Sequence, residues 1–118
     1  MLFRFRDFRV YKDARVFRTL IYNISSKFPG DERFALTDQI RRAVNSILLN
    51  IAEGSNRSTD KDFARFLHTA LSSLEEVVAC IDIALDEHYL DQDVHASLIL
   101  KAEILGKQII GFMKIVKK

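Results

Sequence analysis

The chain has 118 residues, enough for one domain with a single core and too few for two. Hydrophobic residues make up 48% of it and charged residues 29%, a balance that excludes a disordered chain. The formal net charge of +2 is too small to name a partner, so any argument from charge rests on where the charges sit.

Only one Pro and four Gly occur, a composition best suited to helices with short connections. The lone Cys80 has no partner for an intramolecular disulfide, which points to a reducing compartment. No apolar run approaches the roughly 18–20 residues of a membrane span. The opening Met-Leu-Phe-Arg-Phe-Arg-Asp lacks the continuous apolar core of a secretory signal. The expectation is a soluble, cytoplasmic protein with no membrane partner.

The first predicted helix runs from about Asp7 to Lys27, with Val10, Ala14, Phe17, Ile21, Ile24 and Phe28 on its buried face. Phe28-Pro29-Gly30-Asp31 ends it, because Pro disfavours a helical residue before it. The second helix spans Thr37 to Glu53. Ile40, Val44, Ile47, Leu48 and Ile51 step by threes and fours along one face. Gln39, Arg42, Ser46, Asn50 and Glu53 step the same way along the next, an ordered polar stripe. Thr37 is the expected N-cap, and Gly54 the expected left-handed terminator. Ser55-Asn56-Arg57-Ser58 forms a polar connection.

The third helix extends from about Thr59 to His88, capped by Ser58 or Thr59, with Asp60 and Asp62 suiting its positive end. Its stripe is Phe63, Phe66, Leu67, Ala70, Leu74, Val77, Ile81 and Leu85, and Cys80 lies one step away as a small core residue. After a turn at Leu90-Asp91-Gln92, the fourth helix covers about Gln92 to Val116, with Val94, Leu98, Ala102, Leu105, Ile109, Phe112 and Val116 inward. Ile99, Leu100, Ile104, Ile110, Met113 and Ile115 flank that stripe. A helix in a monomeric bundle needs a stripe only about 100° wide. The excess reads as either a central, deeply buried helix or a second interface against another subunit, and corner-equivalent helices favour the interface.

Short connections make sequential helices antiparallel neighbours. The predicted fold class is therefore all-α, an antiparallel up-and-down four-helix bundle. One pole then gathers Arg4, Arg6, Arg9, Lys12, Arg57, Lys61, Arg65, Lys114, Lys117 and Lys118 against Asp7, Asp13, Glu53, Asp60 and Asp62. The other gathers Asp31, Glu32, Asp82, Asp86, Glu87, Asp91 and Asp93 against Lys27, Arg33, Arg41 and Arg42. The nearly neutral chain becomes a charge dipole, and its basic pole is the candidate RNA- or DNA-binding surface. No readout motif accompanies the cations, so binding is expected to be nonspecific.

Catalytic and cofactor chemistry finds no frame here. The residues three before His68, His88 and His95 are Arg65, Leu85 and Gln92, which removes the di-iron motif of helix bundles. The histidines share no ligand spacing, Cys80 has no thiol partner, and Gly54 stands alone rather than in a phosphate loop. No catalytic residue, metal site or cofactor is assigned, and the chain reads as non-enzymatic. The polar stripe reads as a buried or interfacial hydrogen-bond network, met from the third helix by Ser73 and Glu76.

Phe28-Pro29-x-x-Glu32, Leu36-x-x-Gln39-Ile40-x-Arg42-Ala43-x-x-Ser46-Ile47-x-x-Asn50-Ile51-Ala52-Glu53-Gly54, Arg57-Ser58 and Phe63-x-x-Phe66-Leu67-x-x-Ala70 occur in a known order. The chain resembles the bacterial four-helix-bundle proteins encoded in intervening sequences of large-subunit ribosomal RNA genes. It is also similar to the accessory protein of diversity-generating retroelements. Ser72 stands where the family usually has Gly. The resemblance spans nearly the whole chain and implies a bundle that assembles into a homo-oligomeric ring, usually a pentamer. A ring with one common orientation multiplies the basic pole by its subunit count. The resemblance implies shape more than function; the charge placement points to a scaffold for nucleic acid, and the alternative is a protein-interaction module recruiting a partner such as a reverse transcriptase.

Overall fold

Apolar periodicity interrupted by three polar breaks produces four long helices. The computed structural model describes residues 2–117. A 3-10 turn at Arg4–Asp7 leads into α1 (Arg9–Ser25), and a second 3-10 turn at Gly30–Glu32 precedes α2 (Leu36–Gly54). Two further helices follow, α3 (Asp60–Asp86) and α4 (Gln92–Lys117), with no strand among the described residues. The bundle measures 44 × 24 × 20 Å. Its helices pack in cyclic order, α1 on α2, α2 on α3, α3 on α4, and α4 back on α1.

The predicted stripes form the core. Ala14, Phe17 and Ile21 meet Ile40, Val44, Ile47 and Ile51, and Leu67, Val77, Ile81 and Ile109 close the interior. Phe66, Leu85, Phe112 and Val116 are half-buried rather than internal, and Val94 at the start of α4 is exposed. Cys80 is buried as expected, and burial, reinforced by the charge of Glu76, pushes its thiol up to about 11, so it stays protonated and inert near neutral pH.

Helix ends differ from expectation where side-chain chemistry is replaced by packing. The first helix starts later than Asp7 because Phe8 is extended, and the segment before it winds into a 3-10 turn. Thr37 is not the N-cap of α2. It is buried inside the first turn, the cap position belongs to Ala35, and the Leu36 amide donates to Glu32 Oε1 at 3.3 Å. Thr59 does cap α3, accepting from the Asp62 amide at 3.1 Å. At the far end His88 takes φ 64°, and the Tyr89 and His88 amides return to the carbonyls of Ala84 and Leu85, both at 2.9 Å. That is a Schellman closure with histidine where glycine is usual. The Tyr89 hydroxyl donates to Glu32 Oε2 at 2.8 Å and so ties the two connections of the acidic pole together.

Gly54 is not a left-handed terminator. It lies within α2 with ordinary helical backbone, and its lack of a side chain serves helix approach instead. A Cβ there would sit 2.7 Å from Phe66 Cβ and 3.0 Å from Phe63 Cδ1. Ser72, by contrast, is exposed; the close polar approach falls at Ser73.

The breadth of α4 also has a structural outcome. Leu100, Ile104, Ile110 and Ile115 are 60%, 54%, 39% and 67% exposed, which rules out a deeply buried helix within one subunit. α1 and α4 associate least closely of the four neighbours. Between them runs a groove walled by Val16, Leu20 and Ile104 and crossed by a hydrogen bond from Gln108 Nε2 to Asp13 Oδ2 at 2.7 Å.

The contact at Gly54 predicts opposite signs for two glycine substitutions. Gly54→Ala should destabilise the fold by about 2 kcal/mol, since overpacking against a helix backbone position has little room to relax. Gly111→Ala, with nothing within 4 Å of its added Cβ, should stabilise by about 0.5–1 kcal/mol. Urea unfolding of the two variants measures both.

Candidate nucleic-acid interface at the basic pole

The pole is built on aromatic rings. Phe8, Phe63 and Phe112 form a cluster where the N-terminal segment, α3 and α4 meet, with ring centroids 5.0–6.3 Å apart. The Arg4 guanidinium lies 5.6 Å from the Phe8 centroid and 5.8 Å from that of Phe63. Arg4 also donates to the Ser55 carbonyl at 2.9 Å, a cation on the negative end of α2. Phe66, one turn along α3, is shared by two arginines: Arg57 at 4.5 Å and Arg65 at 5.5 Å from its centroid.

Local acids hold several of these cations. Arg57 pairs with Glu53 at 3.0 Å and Arg9 with Asp13 at 3.6 Å. Arg65 donates to one oxygen of Asp62 through Nε at 3.2 Å and a terminal nitrogen at 2.9 Å. These are exposed pairs about one helical turn apart, each worth little to stability and open to exchange with a competing anion. Arg9 and Arg65 remain 88% and 71% exposed at their side chains. Among the described residues Arg6, Lys12 and Lys61 form no ion pair. Lys117 ends α4 at this pole; its side chain and all of Lys118 lie outside the described residues.

Residues predicted to converge therefore come from three separate segments: Arg4, Arg6, Arg9 and Lys12 from the N-terminal region, Arg57 from the second connection, and Lys61 and Arg65 from α3. Guanidinium groups offer forked donors that suit phosphate oxygens, and lysines add point charge. Arg18, farther along α1, faces α2 instead. It donates to Asn45 Oδ1 at 2.6 Å and lies 4.0 Å from the Tyr22 centroid. Arg41 covers the same ring at 4.6 Å and donates to Ser25 Oγ at 2.9 Å, so it serves the α1–α2 seam rather than the acidic pole. Asn45 completes this cluster by donating to the Tyr22 hydroxyl at 2.9 Å.

The predicted polar stripe divides. At its centre Ser46 and Ser73 share a hydrogen bond of 2.8 Å across the α2–α3 seam. Asn50 Nδ2 donates to the Ser46 hydroxyl at 3.0 Å and carbonyl at 2.8 Å. Arg42 turns outward to Asp38 at 3.7 Å, and Glu53 joins the basic pole through Arg57. Gln39 and Glu76 are exposed and outside this network. Within one subunit the network is thus Ser46, Asn50 and Ser73.

The histidines do not meet. His88 is exposed in its turn, whereas His95 Nε2 lies 2.8 Å from Asp82 Oδ1. No three His, Cys, Asp or Glu among the described residues are grouped to hold a metal ion. No helix among them is long and apolar enough to cross a membrane.

Comparison with solved structures finds this architecture elsewhere. A protein of unknown function from the S23 ribosomal protein family of Bacteroides thetaiotaomicron superposes with a TM-score of 0.81 at 23% identity. The alignment covers 89% of this chain and 98% of that one, a likeness of fold. Comparison with curated proteins gives no match. The family description "23S rRNA-intervening sequence protein" matches residues 6–111, nearly the full length of the bundle. The chain belongs to the 23S rRNA-intervening sequence protein family.

Proposed function

We propose that this protein is a non-enzymatic scaffold that assembles into a closed ring and holds RNA or DNA nonspecifically at its basic pole. What supports the reading is the clustering of Arg4, Arg57 and Arg65 on the Phe8, Phe63 and Phe66 rings, on the segments that also carry Arg6, Arg9, Lys12 and Lys61. Cations spread evenly over a surface would give no such field. Gathered at a pole, they favour a polyanion whose phosphates repeat at short intervals.

Assembly supplies the valency that one subunit lacks. Val16 on α1 and Leu100, Ile104, Ile110 and Ile115 on α4 are exposed large apolar side chains, more than one subunit needs to leave in water on a single helix. Isolated surface apolar residues need no partner, but a row of them along α4 suits a contact with a second copy, and a head-to-tail contact closes into a ring when the rotation divides evenly. A pentamer is the count we propose. Such a ring repeats the pole around its axis and raises affinity without a new contact. The alternative, a module that recruits a protein such as a reverse transcriptase, draws on the same apolar row; its binding would respond weakly to salt.

Light scattering at micromolar concentration should return five times the chain mass of 13.6 kDa. A monomer would refute the ring, and a dimer or tetramer would refute the count.

Filter binding should retain both RNA and duplex DNA at low salt. On duplex DNA the logarithm of affinity should fall against log salt with a slope near 0.9 per phosphate neutralised. Reversing the unpaired cations together (Arg6→Glu, Lys12→Glu, Lys61→Glu) should abolish retention and leave the assembled mass unchanged. Retention that survives the reversals, or that ignores salt, would favour the protein-recruiting reading.

A further inference from the structure

Beside the cationic cluster, the 3-10 turn at Arg4–Asp7 and the end of α2 border an open hollow of about 810 Å³. Such a volume lies within the roughly 300–1,000 Å³ of ordinary ligand pockets. Its wall is mixed. Leu2, Phe3 and Leu49 supply apolar surface and are 86%, 57% and 65% exposed. Asn56 and Arg57 supply donors from the rim. Among the described residues the Asn56 side chain makes no hydrogen bond, and the Arg57 guanidinium is held by Glu53 and Phe66.

We infer that this hollow receives an unpaired nucleobase, so that the basic pole prefers single-stranded nucleic acid to duplex. The inference rests on the nucleic-acid reading above and narrows its substrate class. Phe3 offers a ring for stacking. It packs edge-on with Phe5, centroids 6.5 Å apart, and Phe5 lines the hollow beside it. Asn56, with both a donor and an acceptor available, suits any base edge and imposes no sequence. The cations of the pole track the backbone while the ring takes the base, a combination that binds single strands because every base has a stacking face. A paired base lies inside its helix and cannot enter without flipping out, at a cost of a few kcal/mol. The hollow lies apart from the exposed apolar row of α4, and a subunit packed over it would bury Asn56 and Arg57 against apolar surface, so the mixed lining argues for a base.

Fluorescence anisotropy with labelled oligothymidylate and with duplex DNA of the same length, at one salt concentration, tests this. The single strand should bind more tightly. Phe3→Ala should weaken single-strand binding about tenfold and leave duplex binding unchanged, while Phe3→Tyr should restore it. Equal affinity for both forms, or an equal loss on both in Phe3→Ala, would overturn the inference and leave nonspecific binding standing. A change in assembled mass in Phe3→Ala would instead assign the hollow to the contact between subunits and overturn it also. Binding of neither form by the assembled protein would overturn the inference and the nucleic-acid reading together.

Discussion

The approach of α2 to α3 at Gly54 is the constraint on which the basic pole depends. A hydrogen at this position lets Phe66 Cβ come to where a methyl group would clash and brings the Phe63 ring against the α2 backbone. Phe63 then anchors the cluster with Phe8 and Phe112, and that cluster supports Arg4. Phe66 in turn supports Arg57 and Arg65. One missing side chain thus fixes the rings, and the rings fix the guanidinium groups. Farther along the same seam, the Ser46–Ser73 hydrogen bond keeps the helices close where both carry small side chains.

This arrangement sets how the cations act. An arginine stacked on a ring gives up part of its conformational freedom before any ligand arrives, so less is lost on binding. The acids beside Arg9, Arg57 and Arg65 reduce the field of the isolated pole, yet their pairs are exposed and weak enough for a phosphate to displace them. Arg6, Lys12 and Lys61, which form no ion pair among the described residues, add charge beside them. The opposite pole is built differently. There Tyr89 donates to Glu32, and that bond, followed by burial and nearby carboxylates, pushes its hydroxyl up to about 12. That tie therefore persists through the neutral range, well clear of the chemistry proposed for the basic pole.

Much of the fold was legible because periodicity reports burial directly: Ile40, Val44, Ile47 and Ile51 had to face the core together. The width of the α4 apolar surface was legible for the same reason. Polar spacing carried less. It put Gln39, Arg42, Ser46, Asn50 and Glu53 on one face, but only the middle of that face lies against α3, so the outer members meet solvent or local charges. Gly54 was ambiguous in principle, because a helix-ending glycine and a close-packing glycine leave the same mark in sequence; the rings that decide between them lie in the next helix. Arg41 was counted by charge, whereas Tyr22 and Ser25 determine its use. Thr37 had the chemistry of a cap but falls on a buried face.

The central claim is that aromatic rings organise the pole, and proton NMR of the arginine side chains tests it most directly. The Arg57 and Arg65 guanidinium groups lie 4.5 and 5.5 Å from the Phe66 centroid, so their side-chain Hδ and Hε protons should be shifted upfield by the ring current, and Phe66→Leu should return both to ordinary values while the protein stays folded. Ordinary arginine shifts in the native protein, or upfield shifts that survive removal of the ring, would contradict the account.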